Sequence, residues 1–264
     1  MRFLILLLAA SLTAATPGEN DWREPMKPFH VVGNVYFVGT AGLGAYLITT
    51  PQGHIVLDGG TPDDAPLIEK SIAALGFKLS DVKYLLNSHA HFDHCGGLGA
   101  LKKASGARMV ASRADAQILQ AGHHGSYGAG WADDFPPVHV DRIVNDGDHV
   151  QLDGTTLIAV LTPGHTKGCT TWTMQTNEAG KTYNVVFYCS TSVPGYPLVN
   201  NREYPNIVSD YEHSFEKLKK LRCDVFLANH TGFFDMRQKL ARVHPGAPNP
   251  FVDPTELQRF VTAS

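Results

Sequence analysis

Residues 89–94 are His89-Ala90-His91-Phe92-Asp93-His94. Four metal-competent side chains fall within six residues. They follow a short apolar stretch, 82–86, with the pattern of a buried strand. If the extended backbone persists past that strand, His89 and His91 point to the same side. A turn into helix would then swing Asp93 and His94 towards a second point, so that one loop serves two ions. Imidazole and carboxylate donors suit Zn²⁺ and, with no thiolate among them, leave iron or manganese open. The plainer alternative is a His-rich surface loop with no role; the position directly after a strand argues against it.

Two further histidines share that placement. His165 lies in Thr162-Pro163-Gly164-His165-Thr166-Lys167-Gly168, after a strand expected over 157–161, and Pro163 with Gly164 makes a tight turn that presents the imidazole. His230 lies in Ala228-Asn229-His230-Thr231-Gly232, after a strand expected over 225–227. His244-Pro245-Gly246 competes with it for the same role, but it sits beyond an expected helix and reads as a surface turn.

Outward from these points the chain alternates strands and helices. Strand-like runs at 30–38, 45–49 and 54–58 come first, separated by Gly- or Pro-containing turns. A helix is expected with Thr61 as N-cap, Pro62 first and Asp64 in a capping box, ending at Leu75 before Gly76. Another follows Gly97, then a strand at 109–110 and a helix framed by Ser112 and Asp115. Residues 122–137 read as a long loop. The second half repeats the plan, with strands at 142–144, 149–152, 157–161, 170–174 and 185–188. A helix capped by Ser209 and Glu212 should run through Leu221, and a terminal helix should start at 253–256. This order predicts a layered α/β architecture with sheets between helices.

Composition narrows the partners. The chain has 264 residues, 43% hydrophobic, and a net charge of −3. No basic stripe is present to neutralise a phosphate backbone, so a nucleic acid partner is not expected. Arg2, the apolar run 3–10 and the small residues 11–15 read as a signal peptide over about 1–15, cleaved near Ala15. That run is too short to span a bilayer, and no later segment is long and apolar enough. An exported, periplasmic protein is therefore expected, monomeric, with one domain over 16–264. Cys95, Cys169, Cys189 and Cys223 show no disulfide framework and no Cys-x-x-Cys clip. Each reads as a small buried hydrophobe.

The pattern His-x-His-x-Asp-His, then Pro-Gly-His-Thr, then a late histidine after a strand resembles the metallo-β-lactamase superfamily. Trp22, residues 33–36, residues 57–60, Asp141-Arg142 with Asp146-Gly147-Asp148, and Pro194-Gly195-Tyr196 resemble subclass B3 in particular. The resemblance covers nearly all of 16–264. It implies an αββα sandwich with two zinc ions at one edge of the two central sheets. His89, His91 and His165 would hold the first; Asp93, His94 and His230 the second. It implies hydrolysis of a β-lactam amide by a metal-bound hydroxide that Asp93 orients, without an acyl-enzyme, and so antibiotic resistance. Ser190 would lie near the second zinc's water and Ser192 near the substrate carboxylate, though an ordinary polar loop is an equal reading. Tyr196 would donate to the oxyanion and Asn201 would contact substrate. Cys189 is one residue from the cysteine ligand of subclass B1 and is not counted as a ligand.

Other features read as incidental. Ser214-Phe215-Glu216-Lys217 matches the Ser-x-x-Lys of serine β-lactamases, but it falls in an expected surface helix without its companion motifs. His123-His124 either flanks the pocket or, the preferred reading, is a solvated loop pair. Trp131 and Phe135 read equally as an apolar substrate wall or as local packing. Within the same resemblance, a glyoxalase II-like thioesterase or a lactonase is the alternative. Those enzymes resemble one another in a bridging aspartate after a late strand, which residues 185–190 lack. A non-catalytic metal-binding protein is the third reading; open metal positions argue against it.

Overall fold

The computed structural model describes residues 19–130 and 132–264. The expected export signal over 1–15 and the side chain of Trp131 lie outside the described residues.

Fourteen strands and seven α-helices make up the regular structure of the described residues. One sheet has seven strands: β1 (Phe29–Val32), β2 (Val35–Phe37), β3 (Tyr46–Thr50), β4 (Gly53–Leu57), β5 (Val82–Leu86), β6 (Arg108–Ser112) and β9 (Arg142–Val144), in that spatial order. Its first four strands are antiparallel and its last four parallel. β7 (His123–His124) and β8 (Asp133–Asp134) form a small separate ribbon. The other main sheet has five: β10 (His149–Leu152), β11 (Thr155–Leu161), β12 (Thr170–Glu178), β13 (Lys181–Tyr188) and β14 (Val225–Ala228). Only β14 is parallel to its neighbour. The helices are α1 (Ala65–Ala74), α2 (Phe92–Cys95), α3 (Leu98–Ser105), α4 (Arg113–Ala121), α5 (Ile207–Lys220), α6 (Met236–Leu240) and α7 (Glu256–Ala263).

Side-chain alternation along the strands assigns the layers. Phe37, Tyr46, Ile48 and Ile55 of the first sheet share one buried cluster with Leu157, Trp172 and Phe187 of the second. Their neighbours Leu47, Val56, Leu85 and Met109 face the other way, onto Ile68 and Ile72 of α1, Leu101 of α3 and Leu119 of α4. In the second sheet Phe187 meets Tyr46 at a ring distance of 5.1 Å, while Tyr188 and Phe226 turn outwards to Phe260 of α7, each at 5.2 Å. The result is helix, sheet, sheet, helix, the expected sandwich. No helix of the described residues is long and apolar enough to cross a membrane.

Local chemistry shifts several expected boundaries. The single strand expected over 30–38 is two, because the chain turns at Gly33, where φ is +55°. A side chain at Gly33 would collide with Thr176. α1 begins at Ala65, not at Pro62. The Asp64 carboxylate accepts the Thr61 N–H at 2.8 Å, as the expected capping box requires, but the Asp64 N–H closes a separate turn onto the Thr61 carbonyl at 3.0 Å, and Asp64 becomes the N-cap. Likewise α5 starts at Ile207, after Asn206, and Ser209 donates to the Asn206 carbonyl at 2.9 Å from inside the first turn. Ser112 caps α4 by accepting the Asp115 N–H. Cys169 and Cys189 are not separate buried thiols but a disulfide, with Cα atoms 6.0 Å apart. The antiparallel register of β12 and β13 carries one to the start and the other to the end of adjacent strands. Cys95 and Cys223 are free and buried.

Candidate metal centre

The loop after β5 stays extended through His91, whose φ and ψ are −96° and 151°. It then turns into α2, and the His91 carbonyl accepts the N–H groups of His94 and Cys95. This reversal sends His89 and His91 one way and Asp93 and His94 another. The second sheet adds one histidine to each group: His165 beyond the end of β11 and His230 beyond the end of β14.

Two compact trios of donor atoms result, His89/His91/His165 and Asp93/His94/His230. His165 Nε2 lies 3.1 Å from both His89 Nε2 and His91 Nδ1. In the second trio His94 Nε2 is 3.2 Å from His230 Nε2 and 3.0 Å from Asp93 Oδ2, which is 3.5 Å from His230 Nε2. The rings of His89 and His94 are 4.5 Å apart, so the trios adjoin.

These residues fit an ion. A tetrahedral centre with nitrogen ligands at ~2.0–2.1 Å has edges of roughly 3.3 Å, close to the nitrogen spacings here. Burial, reinforced by neighbouring imidazoles, holds His89 and His91 well below the ordinary histidine range. Burial also lowers His165 to about 4 and, with the charge of His94, His230 to about 3. All four are therefore neutral at pH 7, the form that donates to metals. Burial would raise Asp93, but His94, His230 and His91 outweigh it and keep the carboxylate ionised. Burial would lower His94, but the charge and hydrogen bond of Asp93, with the charge of Asp58, raise it.

The outward nitrogens of the first trio are backed. His165 Nδ1 is 2.8 Å from the Ser192 carbonyl and 3.1 Å from the Ser192 hydroxyl. His91 Nε2 is 3.1 Å from the Tyr196 hydroxyl, and His89 Nδ1 is 3.2 Å from both Ser88 Oγ and Asn229 Nδ2. Such contacts fix tautomer and ring orientation. Ser190 is buried and 3.0 Å from the Ser192 hydroxyl, so this pair stands beside His165; Ser192 itself is exposed. Asn201 spends its amide on backbone, donating to the carbonyls of Tyr127 and Pro197 and accepting from the N–H groups of Glu203 and Tyr204. His244 is exposed in a turn after α6.

Other residues near the site take places that the sequence leaves open. His124 is not solvated but fully buried, its ring 4.4 Å from that of His91, and burial lowers it to about 4. Only His123 stays outside, paired with Asp134 at 2.7 Å. Phe135 is buried in the core under α3 and α4. Burial raises Asp58 to about 6; it accepts the Ser88 N–H at 2.6 Å, just ahead of His89. Burial also raises Asp115, to about 7, where it accepts from Asn87 and Thr166 and so joins the turns that carry His89 and His165. Trp22 packs on His230 with ring centres 5.7 Å apart.

A sequence profile of the metallo-beta-lactamase superfamily matches residues 45–230, from β3 to the last donor histidine. Among solved structures, BJP-1, a subclass B3 metallo-beta-lactamase of Bradyrhizobium japonicum, is 41% identical, covers 92% of each chain and superposes with a TM-score of 0.86. Native FEZ-1 metallo-beta-lactamase of Legionella gormanii is 43% identical over 91% of this chain and 93% of its own, with a TM-score of 0.86. An N-acyl homoserine lactonase of Bacillus cereus is 27% identical over 158 residues, which are 51% of this chain and 59% of that protein. Taken with the fold, the paired His-rich trios imply a divalent metal. The chain belongs to the metallo-beta-lactamase superfamily and has the hydrolase fold of an enzyme, similar to that of these two metallo-beta-lactamases.

Proposed function

We propose that this chain is a zinc-dependent β-lactamase of the subclass B3 kind, which opens the β-lactam amide by hydrolysis and so confers antibiotic resistance. The carrying observation is the end of β13. Where a bridging aspartate would favour a lactonase or thioesterase, Tyr188 is followed by Cys189, tied to Cys169, and by Ser190. Likeness along more than nine-tenths of the chain to two metallo-beta-lactamases supports the same reading.

His89, His91 and His165 would hold one zinc, and Asp93, His94 and His230 the other. Bound there, the pair would supply a water activated near neutral pH and a Lewis acid for the amide carbonyl. Asp93, held ionised, accepts a hydrogen bond from the attacking water and orients it. Ser192, exposed beside His165, offers its hydroxyl to the substrate carboxylate, with Ser190 supporting it from behind. Tyr196 stands behind His91 and reaches an oxyanion only by turning its hydroxyl away from that ring. Asn201 acts on substrate through the loop it holds. No serine needs to form an acyl-enzyme.

The disulfide supports export to the periplasm, because such bonds persist in oxidising compartments. The protein acts as a monomer of one domain. The lactonase likeness over half the chain supports a second reading, hydrolysis of an acyl homoserine lactone. One experiment separates them: the zinc-loaded protein is assayed with a chromogenic cephalosporin and with an acyl homoserine lactone. Cephalosporin turnover abolished by a chelator and restored by zinc is expected. Lactone turnover without cephalosporin turnover would overturn the proposal.

A further inference from the structure

Helix α5 turns one side towards the segment that carries His165. Tyr211, Ser214 and Lys217 recur at intervals of three residues and so share a face of that helix. Each grips a backbone carbonyl. The Tyr211 hydroxyl donates to Ser192 at 2.7 Å, the Ser214 hydroxyl to Pro163 at 2.6 Å, and Lys217 Nζ to Leu161 at 2.9 Å. Leu161 and Pro163 lead directly into His165, and the Ser192 carbonyl is the one that His165 Nδ1 faces.

Two further contacts tighten the grip. Lys217 Nζ also pairs with Asp146 Oδ2 at 2.9 Å, while Asp146 Oδ1 accepts the Leu161 N–H at 2.8 Å. The Tyr211 ring fills the space beside Gly164, where a Cβ would lie 2.6 Å from it. Gly164 has a φ of +141°, which a side chain rarely adopts, so only glycine suits the turn beside the Tyr211 ring. Ser214 is therefore not on a surface: it is fully buried, its proton committed to Pro163. The Ser-x-x-Lys resemblance hides a different task.

We propose that the Tyr211–Ser214–Lys217 face of α5 is a positioning device for His165, which sets the metal affinity of the first trio from behind the turn. This rests on reading His89, His91 and His165 as an ion site. A donor on Nδ1 leaves the Nε2 lone pair for the ion. The Ser192 carbonyl oxygen that faces His165 Nδ1 also accepts the Tyr211 hydroxyl, which ties its position to α5. Without the grip on Ser192, Pro163 and Leu161, the imidazole loses its fixed aim.

The test is zinc titration of the metal-free protein against a chromogenic chelator, for wild type, Tyr211→Phe and Lys217→Met. Glu212→Gln, exposed on the same helix, is the control. Each α5 variant should weaken one of the two sites about tenfold, the usual scale for contacts that orient a ligand. It should also change the ligand-field spectrum of Co²⁺ bound there, a signal that a merely structural loss would not move. In a His230→Ala background, which breaks the second trio, the weakened site should be the one that remains. Two ions bound by wild type with unchanged affinities in both variants would overturn the positioning role alone. Equal weakening of both sites would do the same. No zinc bound by wild type would overturn the ion-site reading itself. If Tyr211→Phe does not fold, Lys217→Met decides, since it keeps the packed stem and removes only the charged donor.

Discussion

The two trios share a plan and differ in charge, backing and exposure. Each takes two donors from the loop after β5 and one from the second sheet. The first is three neutral imidazoles, each with its outward nitrogen met by a side chain or carbonyl. The second contains a carboxylate, and His94 Nδ1 is buried with no hydrogen-bond partner among the described residues. His230 is the open member, its side chain 25% exposed against 1% for His94. In the metal-free protein the first trio is thus already in its binding form. In the second, the Asp93–His94 ion pair stands where the cation belongs, and a proton must leave before an ion can enter.

That asymmetry can be broken most directly at the second trio. Asp93→Asn removes its only negative charge and, under the proposed function, the group that orients the attacking water. It should bind about one zinc per chain and lose activity by roughly 10²–10⁴-fold, the range for a positioned proton acceptor. His230→Ala should also bind about one, while His244→Ala should match wild type. Metal analysis and kcat/KM on all three variants test this, and metal loss in His244→Ala with retention in His230→Ala would reverse the assignment.

Acid should separate the sites by a smaller factor. His94 is raised above its ordinary range by Asp93, so on acidification it is the first of these imidazoles to take up a proton, which the second ion must displace. His165 takes up its proton only near pH 4, so the first ion has no such competitor between pH 6 and 8. Second-site affinity should therefore fall as pH drops from 8 to 6, by at most about tenfold per unit for one proton, with first-site affinity flat. Chelator competition at three pH values reads this directly, and parallel slopes would refute the contrast.

The smallest effect on metal binding is expected beneath the first trio. Cys189 Sγ lies 3.7 Å from His89 Nδ1 yet is bound to Cys169. Replacing both cysteines by serine should lower unfolding stability by about 3 kcal/mol, the scale for a loop of this length. Zinc stoichiometry should stay at two. Denaturant unfolding and metal analysis check both halves of that statement, and a lost ion would mean that a sulfur belongs to the site.

The sequence was most legible where function depends on short spacing. The positions of His89, His91, Asp93 and His94 along one loop follow from a strand period giving way to a helical one. His165 and His230 were found because each follows an apolar strand. The alternation of strands and helices gives the layered α/β architecture, and the family resemblance implies the sandwich. What stayed hidden depends on register or distant partners. Cys169 and Cys189 meet only because β12 and β13 pair as they do. Ser214 is buried because its acceptor, Pro163, lies 51 residues away. His124 enters the site through the two-residue ribbon of β7 with β8, too short to leave a period in the sequence. The start of α1 moved although Asp64 makes its capping-box bond to Thr61, because the Asp64 N–H also closes a separate turn onto the Thr61 carbonyl.

The spacing of His165 from His89 and His91 is set by how far apart two sheets stand, and that is fixed by what fills the gap between them. Trp172, fully buried in that gap, donates its indole N–H at 2.9 Å to the carbonyl of Asn87, two residues before His89. The interior is thus the gauge block of the site. A change of one methylene among Trp172, Phe187 and Tyr46 acts as a coarse adjustment of catalytic geometry, and loops at the rim provide only the fine one.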